Sequence, residues 1–279
     1  LVWPGDMPLV EKGTIEKFVA AHAESKAHVS VLSSVVQCPK GYGRIVRDDG
    51  KFIAIREELD ATDEERAIRE VNTGIYLFDK ALLFKALGRI GSNNKKNEYY
   101  LTDTIEVLRE EGYKVEAFPF AAASEGTGIN SQKDLAMVTE KINQREIERH
   151  MENGVTFVSP SQTFVAPGAV IGAGTVMNPW CWVESGVTIG KNCKIGPFAK
   201  LRGGTKIGDG TEIGSYVEVK SSTIGKNVCA KHLSYLGNAV VSDGVNVGAG
   251  VITANYDGKN KHVTKIGKNA FNGCTALTE

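Results

Sequence analysis

The sequence predicts two units of different class: an α/β layered domain over residues 1–131 and a parallel β-helix over 154–279, joined by a helix over 132–153. Three observations predict this. In the first part, strand-like runs alternate with helix-like runs, the pattern of an α/β layered domain with a mostly parallel sheet. Residues 132–153 contain neither Gly nor Pro and are dense in charge. From residue 154 an aliphatic residue or Met recurs every six residues, the signature of a parallel β-helix.

Taken in order, GTIEKFVAAHAES (13–25) carries Ile15, Phe18, Val19 and His22 at helical spacing. HVSVLSSVV (28–36) and KVEAFPF (114–120) read as strands. GRIVRDDGKFIAIRE (43–57) reads as two short strands joined at Asp49-Gly50, a hairpin turn signal. TGIYLFD (73–79) is a buried strand, followed by a helix over DKALLFKALGRI (79–90). TDTIEVLREEG (102–112) opens on Thr102 as a helix cap and closes on Gly112. The 132–153 helix has a thin apolar stripe of Leu135, Val138, Ile142 and Ile147, which suits a solvated linker.

The repeat runs Val165, Ile171, Met177, Val183, Ile189, Ile195, Leu201, Ile207, Ile213, Val219. Each hexapeptide is one short strand plus a corner, and three make a triangular coil of about 18 residues. The landmark residue points inward, and coils stack at a strand spacing of ~4.8 Å. Residues 18 apart therefore lie one above the other. Arg202 follows landmark Leu201, and Lys220 follows landmark Val219, so the two cations stack on the outside of adjacent coils. They are either two solvated charges or a phosphate clamp, in which a bound dianion removes their repulsion. After Val219 the count breaks, because Ile224 comes one residue early. The segment AKHLSYLG (230–237) follows, with His232 and Tyr235 where aliphatics are expected. His232 is the side chain suited to general base work near neutral pH, although a lone His is more often structural. NVGAGVITANYDGKNKHV (246–263) departs further: its NYDGKNK stretch (255–261) is turn-rich and polar, too long for a corner, and reads as a projecting loop.

Composition narrows the class. Thirty-three basic residues balance thirty-three acidic ones, so no global field points to nucleic acid or an anionic membrane. No apolar run approaches the ~18–20 residues of a membrane helix, and no signal peptide is visible. Cys38, Cys181, Cys193, Cys229 and Cys274 form no CxxC pair. They suit small buried hydrophobes in a reducing cytoplasm. The chain opens on LVWPGDMPLV without Met and stops at CTALTE within a repeat, and it reads as a piece lacking material at both ends.

The motifs PGDMPL (4–9), GYGRIVRD (41–48), IREVNTGIY (68–76), NEYYLTD (97–103), IGPFAKLR (195–202), VEVK (217–220), KHLSYLGNA (231–239) and NVGAGVITANYDGKNKH (246–262) cover nearly the whole chain. The sequence resembles the bacterial bifunctional family of N-acetylglucosamine-1-phosphate uridylyltransferase / glucosamine-1-phosphate acetyltransferases. The resemblance implies a Rossmann-like nucleotide-sugar transferase domain and a left-handed β-helix, in a homotrimer with acetyltransferase sites at subunit interfaces. It implies acetyl transfer from acetyl-CoA to glucosamine 1-phosphate, with His232 as base and Arg202 and Lys220 on the sugar phosphate. Glu218 would orient the imidazole, Tyr235 and Asn246 would contact the substrate, and Asn255, Tyr256 and Lys261 would complete the pocket. Ala249 and Cys274 would bind acetyl-CoA. In the first domain it implies uridylyl transfer from UTP to N-acetylglucosamine 1-phosphate. There Asp6 and Asn130 would be Mg²⁺ ligands, and Gly43, Glu57, Asn72, Tyr99 and Tyr100 would line the sugar pocket.

The sequence departs from the family in three places. The Gly-rich nucleotide loop is not in this chain, which predicts no UDP-N-acetylglucosamine formation from UTP. The C-terminal coils that complete the acetyl-CoA site are not in it either. The β-helix reads as one or two coils short between residues 176 and 195. Two other functions compete: a monofunctional nucleotide-sugar pyrophosphorylase with a structural or regulatory β-helix, and an inactive trimeric scaffold.

Overall fold

The computed structural model describes residues 1–273, in a five-stranded sheet with flanking helices followed by a long stack of short parallel strands. The chain divides into two units, Leu1–Val138 and Thr139–Glu279, within one helix.

Unit 1 runs α1 (Lys12–Ser25), β1 (Val29–Val35), β2 (Arg44–Asp48), β3 (Lys51–Arg56), α2 (Asp63–Arg66), β4 (Glu70–Phe78), α3 (Lys80–Leu87), α4 (Asp103–Glu110) and β5 (Val115–Ala121). The strand order is β3-β2-β4-β1-β5. Val29, Val31, Ile45, Ile55, Tyr76, Ile105 and Leu108 form the main core cluster. The expected mostly parallel sheet is corrected: only β1 and β5 pair in parallel, while β1–β4, β2–β3 and β2–β4 are antiparallel. Parallel neighbours need a crossover. The Asp49-Gly50 turn instead folds β2 directly back onto β3, with both residues at positive φ. Thr102 does not cap α4 either. Its hydroxyl donates to Glu57 Oε1 at 3.2 Å.

In unit 2 most strands are two residues long, the first exposed and the second buried, as in Thr188–Ile189 and Lys206–Ile207. Three parallel sheets result. The first face climbs through Phe164, Trp182, Lys200, Glu218 and Tyr235. The second climbs through Val170, Thr188, Lys206, Thr223 and Val240. The third climbs through Val176, Lys194, Glu212, Cys229 and Asn246. Their inward partners make one continuous core from Phe157 to Ile266. The stack is unbroken through residues 176–195, where Val176 pairs with Lys194.

The early Ile224 does not disrupt this ladder; it stacks on Ile207. The coil loses its residue at one corner, where Gly203-Gly204 is replaced by Ser221 and, one coil on, by Asn238, both at positive φ. The inward positions around AKHLSYLG are therefore Ala230 and Leu236, each 0% exposed. His232 and Tyr235 are outward residues in register, not substitutes for core aliphatics.

Helix α5 (Gln132–Glu152) is more than a solvated linker. Within unit 2, Ile147 is 3% exposed and joins the β-helix core. Asn143 donates to the Thr163 carbonyl at 2.9 Å and accepts from the Val165 N–H at 2.8 Å. The helix thereby satisfies backbone groups at the edge of the first face, where open strands invite unwanted pairing. Cys181 and Cys193 are buried as expected, and burial pushes the Cys181 thiol up to about 11. Cys38 is exposed. Among the described residues no helix is long and apolar enough to cross a membrane.

Candidate functional site

Arg202 lies beside Lys220 because Leu201 pairs with Val219, and the Arg202 N–H continues that ladder to the Val219 carbonyl at 2.8 Å. The cations are not left to repel each other. Arg202 donates to Glu218 Oε1 at 3.0 Å and lies 3.7 Å from Glu184. Glu218 therefore serves the arginine, not the His232 imidazole expected from the sequence. Glu184 was missed, yet it stands 18 residues before Arg202, and the count that aligned Lys220 would have found it.

Tyr235 pairs with Glu218, and its ring leans over Gly237, the residue paired with Lys220. A Cβ at Gly237 would collide with that ring and its hydroxyl. This glycine is a second residue that sequence reading missed, because only the ring's direction reveals it. His232 lies around the corner on the third face, paired with Ser215. Its imidazole is exposed and has no hydrogen-bond partner among the described residues. The Gly250 N–H donates to the Leu233 carbonyl at 3.0 Å, which sets Ala249 level with His232 in the next coil. Asn246 extends the same face beyond Cys229.

The projecting loop is tied both to the preceding coil and to itself. Asn255 is buried and donates to Asn238 Oδ1 at 2.6 Å. Lys261 Nζ sits 4.3 Å from the Tyr256 ring centre, and the Tyr256 hydroxyl donates to the Gly258 carbonyl. The Asn260 N–H, His262 and the Lys259 N–H together hold the Asp257 carboxyl down to about 2. Cys274 lies outside the described residues.

In unit 1, Asp6 and Asn130 line one cavity of about 400 Å³ with Gly43, Asn72, Lys40 and Tyr42. The Ile129 N–H donates to the Asp6 carbonyl at 2.9 Å, which ties the two segments together. Glu57 stands directly behind Gly43, where a Cβ would lie 3.3 Å from Glu57 Oε1. Glu57 and Tyr100 also line a smaller hollow of about 160 Å³ with Asp60 and Asp103. Burial pushes the Glu57 carboxyl up, with Asp103 and Asp60 adding to the shift. Tyr99 is 71% exposed and lines neither space. Asp6 and Asn130 offer hard oxygens but no full cage, and among the described residues no three or more Asp, Glu, His or Cys side chains are placed so that they could hold a metal ion by themselves. Such a partial set fits Mg²⁺ completed by substrate phosphates and water.

The Nucleotidyl transferase family profile matches residues 1–128, and the bacterial transferase hexapeptide (six repeats) profile matches residues 186–221. The bifunctional protein GlmU of Geobacillus sp. (strain WCH70) is 41% identical over 310 residues, covering 99% of this chain and 68% of its own. The Halalkalibacterium halodurans protein is 42% identical with the same coverage. This chain belongs to the GlmU family. The Bacillus subtilis member is 38% identical over 306 residues, covering 98% of this chain and 67% of its own. The GlmU aligned spans exceed the 279 residues here, so those relatives carry residues without counterparts in this chain. Like them, it joins a nucleotidyl transferase unit to a hexapeptide-repeat transferase unit.

Proposed function

We propose that this chain serves UDP-N-acetylglucosamine synthesis. Unit 2 moves the acetyl group of acetyl-CoA to the amine of glucosamine 1-phosphate. Unit 1 binds N-acetylglucosamine 1-phosphate, the acceptor of uridylyl transfer from UTP in the full-length parent. The observation that carries the acetyl-transfer reading is the Arg202–Lys220 pair on one face, with an unpartnered His232 at the adjoining corner.

The chemistry follows from charge. An ammonium has no lone pair, so His232 takes its proton. The amine then bonds to the thioester carbonyl carbon and the carbon–sulfur bond breaks; coenzyme A leaves as the thiolate and takes up the second proton, which the new amide nitrogen releases. Arg202 and Lys220 hold the sugar phosphate, where a forked guanidinium and an ammonium suit a dianion. Tyr235 and Asn246 contact the sugar. Tyr256 and Lys261 cover it from the loop, and Asn255 anchors the loop through Asn238. Ala249 and Cys274 bind acetyl-CoA.

In unit 1, Gly43, Glu57, Asn72 and Tyr100 form the sugar wall, and Asp6 and Asn130 hold Mg²⁺. The cation would neutralise phosphate charge. The assembly is a homotrimer. Its support is an exposed apolar corner of Trp180, Phe198, Tyr216 and Leu233, between 40% and 63% exposed.

The test is steady-state acetyl transfer by His232→Ala and Arg202→Ala. His232→Ala is expected to lose kcat, and Arg202→Ala to raise KM for the sugar phosphate. A wild-type rate from His232→Ala would sink the base assignment.

A further inference from the structure

Gly41, Tyr42 and Gly43 contribute three consecutive residues to the unit 1 cavity, but regular pairing in β2 begins only at Arg44. The sheet reaches only the end of this stretch, where the Gly43 carbonyl accepts the Asn72 N–H at 2.8 Å, and Gly41 and Tyr42 lie beyond it. The Arg44 side chain is 1% exposed and turned back on its own chain. Its Nη1 donates to the Tyr42 carbonyl, and its Nη2 donates to Glu58 Oε2 at 2.7 Å. The same Glu58 oxygen accepts the Gly41 N–H at 2.9 Å. One carboxylate oxygen thus joins the start of the loop to the arginine that follows its end. The clamp includes a cost: Arg44 Nε is buried without a hydrogen-bond partner. An unmet buried donor is destabilising, and an apolar side chain of similar volume would avoid it. Core packing alone therefore does not require an arginine here, whereas the loop does.

We propose that Arg44 and Glu58 form a clamp that positions the Gly41–Gly43 wall to receive the sugar phosphate. Neither side chain lines the cavity, so both are positioning residues. The inference rests on the sugar-pocket reading of unit 1.

The test compares the unaltered chain with Arg44→Met and Glu58→Gln. Three properties are read: binding of N-acetylglucosamine 1-phosphate with Mg²⁺ by calorimetry, melting temperature, and amide exchange over residues 38–44. Arg44→Met is expected to weaken binding by about tenfold or more and to speed exchange at Gly41, with the melting temperature lowered only modestly because the freed Glu58 carboxylate is partly exposed to water. Glu58→Gln is expected to show a smaller loss of the same kind. Because Glu58 is partly exposed, that variant still reports if Arg44→Met does not fold. Wild-type affinity or wild-type protection of Gly41 in Glu58→Gln would overturn the clamp alone. Failure of the unaltered chain to bind would overturn the sugar pocket, and with it the clamp's purpose.

Discussion

Glu218 accepts a hydrogen bond from Arg202 at 3.0 Å, and this contact defines the cationic face before any ligand arrives. With Glu184 near the same guanidinium, the cluster of Arg202, Lys220, Glu184 and Glu218 carries no net charge. Arg202 and Glu218 are each 34% exposed and Glu184 is 37% exposed, so water screens these pairs and they add little to the stability of the fold. A phosphate can therefore displace or share them at little cost. Lys220 has no ion-pair partner among the described residues.

Glu184→Gln should tighten phosphate binding. It removes one negative charge near Arg202 and leaves the cluster net positive. At contact distance in water that is worth about 1 kcal/mol, or roughly a fivefold lower KM for glucosamine 1-phosphate. The gain should shrink as salt is added. KM measured at low and high ionic strength checks this, and an unchanged low-salt KM would show that the Glu184 charge does not reach the ligand.

Gly237→Ala should damage activity without damaging the fold. The added methyl meets the Tyr235 ring and hydroxyl, and the ring must swing off the column that holds Lys220. The expected result is a kcat/KM lowered about tenfold or more, as small misplacements at a reacting site can cost. The melting temperature should hardly change, because the ring is partly exposed and can find another rotamer. Wild-type kinetics would mean that Tyr235 is not held by this glycine.

The sequence period was enough to align Arg202 with Lys220, because an inward residue every sixth place fixes which neighbours face out. The same count aligns Glu184. Reading became unreliable where a coil shortens by one residue, at Ser221 and Asn238. A single missing residue shifts every later position, and His232 and Tyr235 then looked like landmarks although Ala230 and Leu236 hold those places. In unit 1 the strands were legible but not their directions, since alternation reports burial and says nothing of a partner's sense. Thr102 had the look of a cap, but Glu57, distant in sequence, takes its hydroxyl. Arg44 gave no signal at all: its burial follows from a turn-back of its own loop.

Glu57 should make the fold more stable in mild acid. Burial raises its carboxyl, with Asp103 and Asp60 adding to the shift. A carboxyl raised on folding is penalised when ionised. The penalty is present above its folded titration and is relieved as pH falls through it, before the unfolded chain takes up the same proton. The Glu57 contribution to the melting temperature should therefore rise as pH falls from neutral toward that titration. Glu57→Gln should melt higher than the unaltered chain at neutral pH, and the difference should narrow in mild acid. It should also lose affinity for N-acetylglucosamine 1-phosphate. A lower neutral melting temperature for Glu57→Gln would contradict the burial penalty.

Phe198 separates ring stacking from backbone strain. Its ring stacks between Trp180 at 4.7 Å and Tyr216 at 4.9 Å, with interplanar angles of 10° and 4°. All three residues hold positive φ, at 58°, 56° and 56°, a region costly for any side chain with a Cβ. Each stacked pair contributes about 0.5–1.5 kcal/mol. Phe198→Ala loses both pairs and keeps the strain, for an expected loss of about 1–3 kcal/mol. Phe198→Gly loses the same pairs but relieves the strain, so it should be the more stable variant by about 1 kcal/mol. Urea unfolding of both variants ranks them. Glycine coming out below alanine would mean that the corner carries no strain and that stacking alone shapes it.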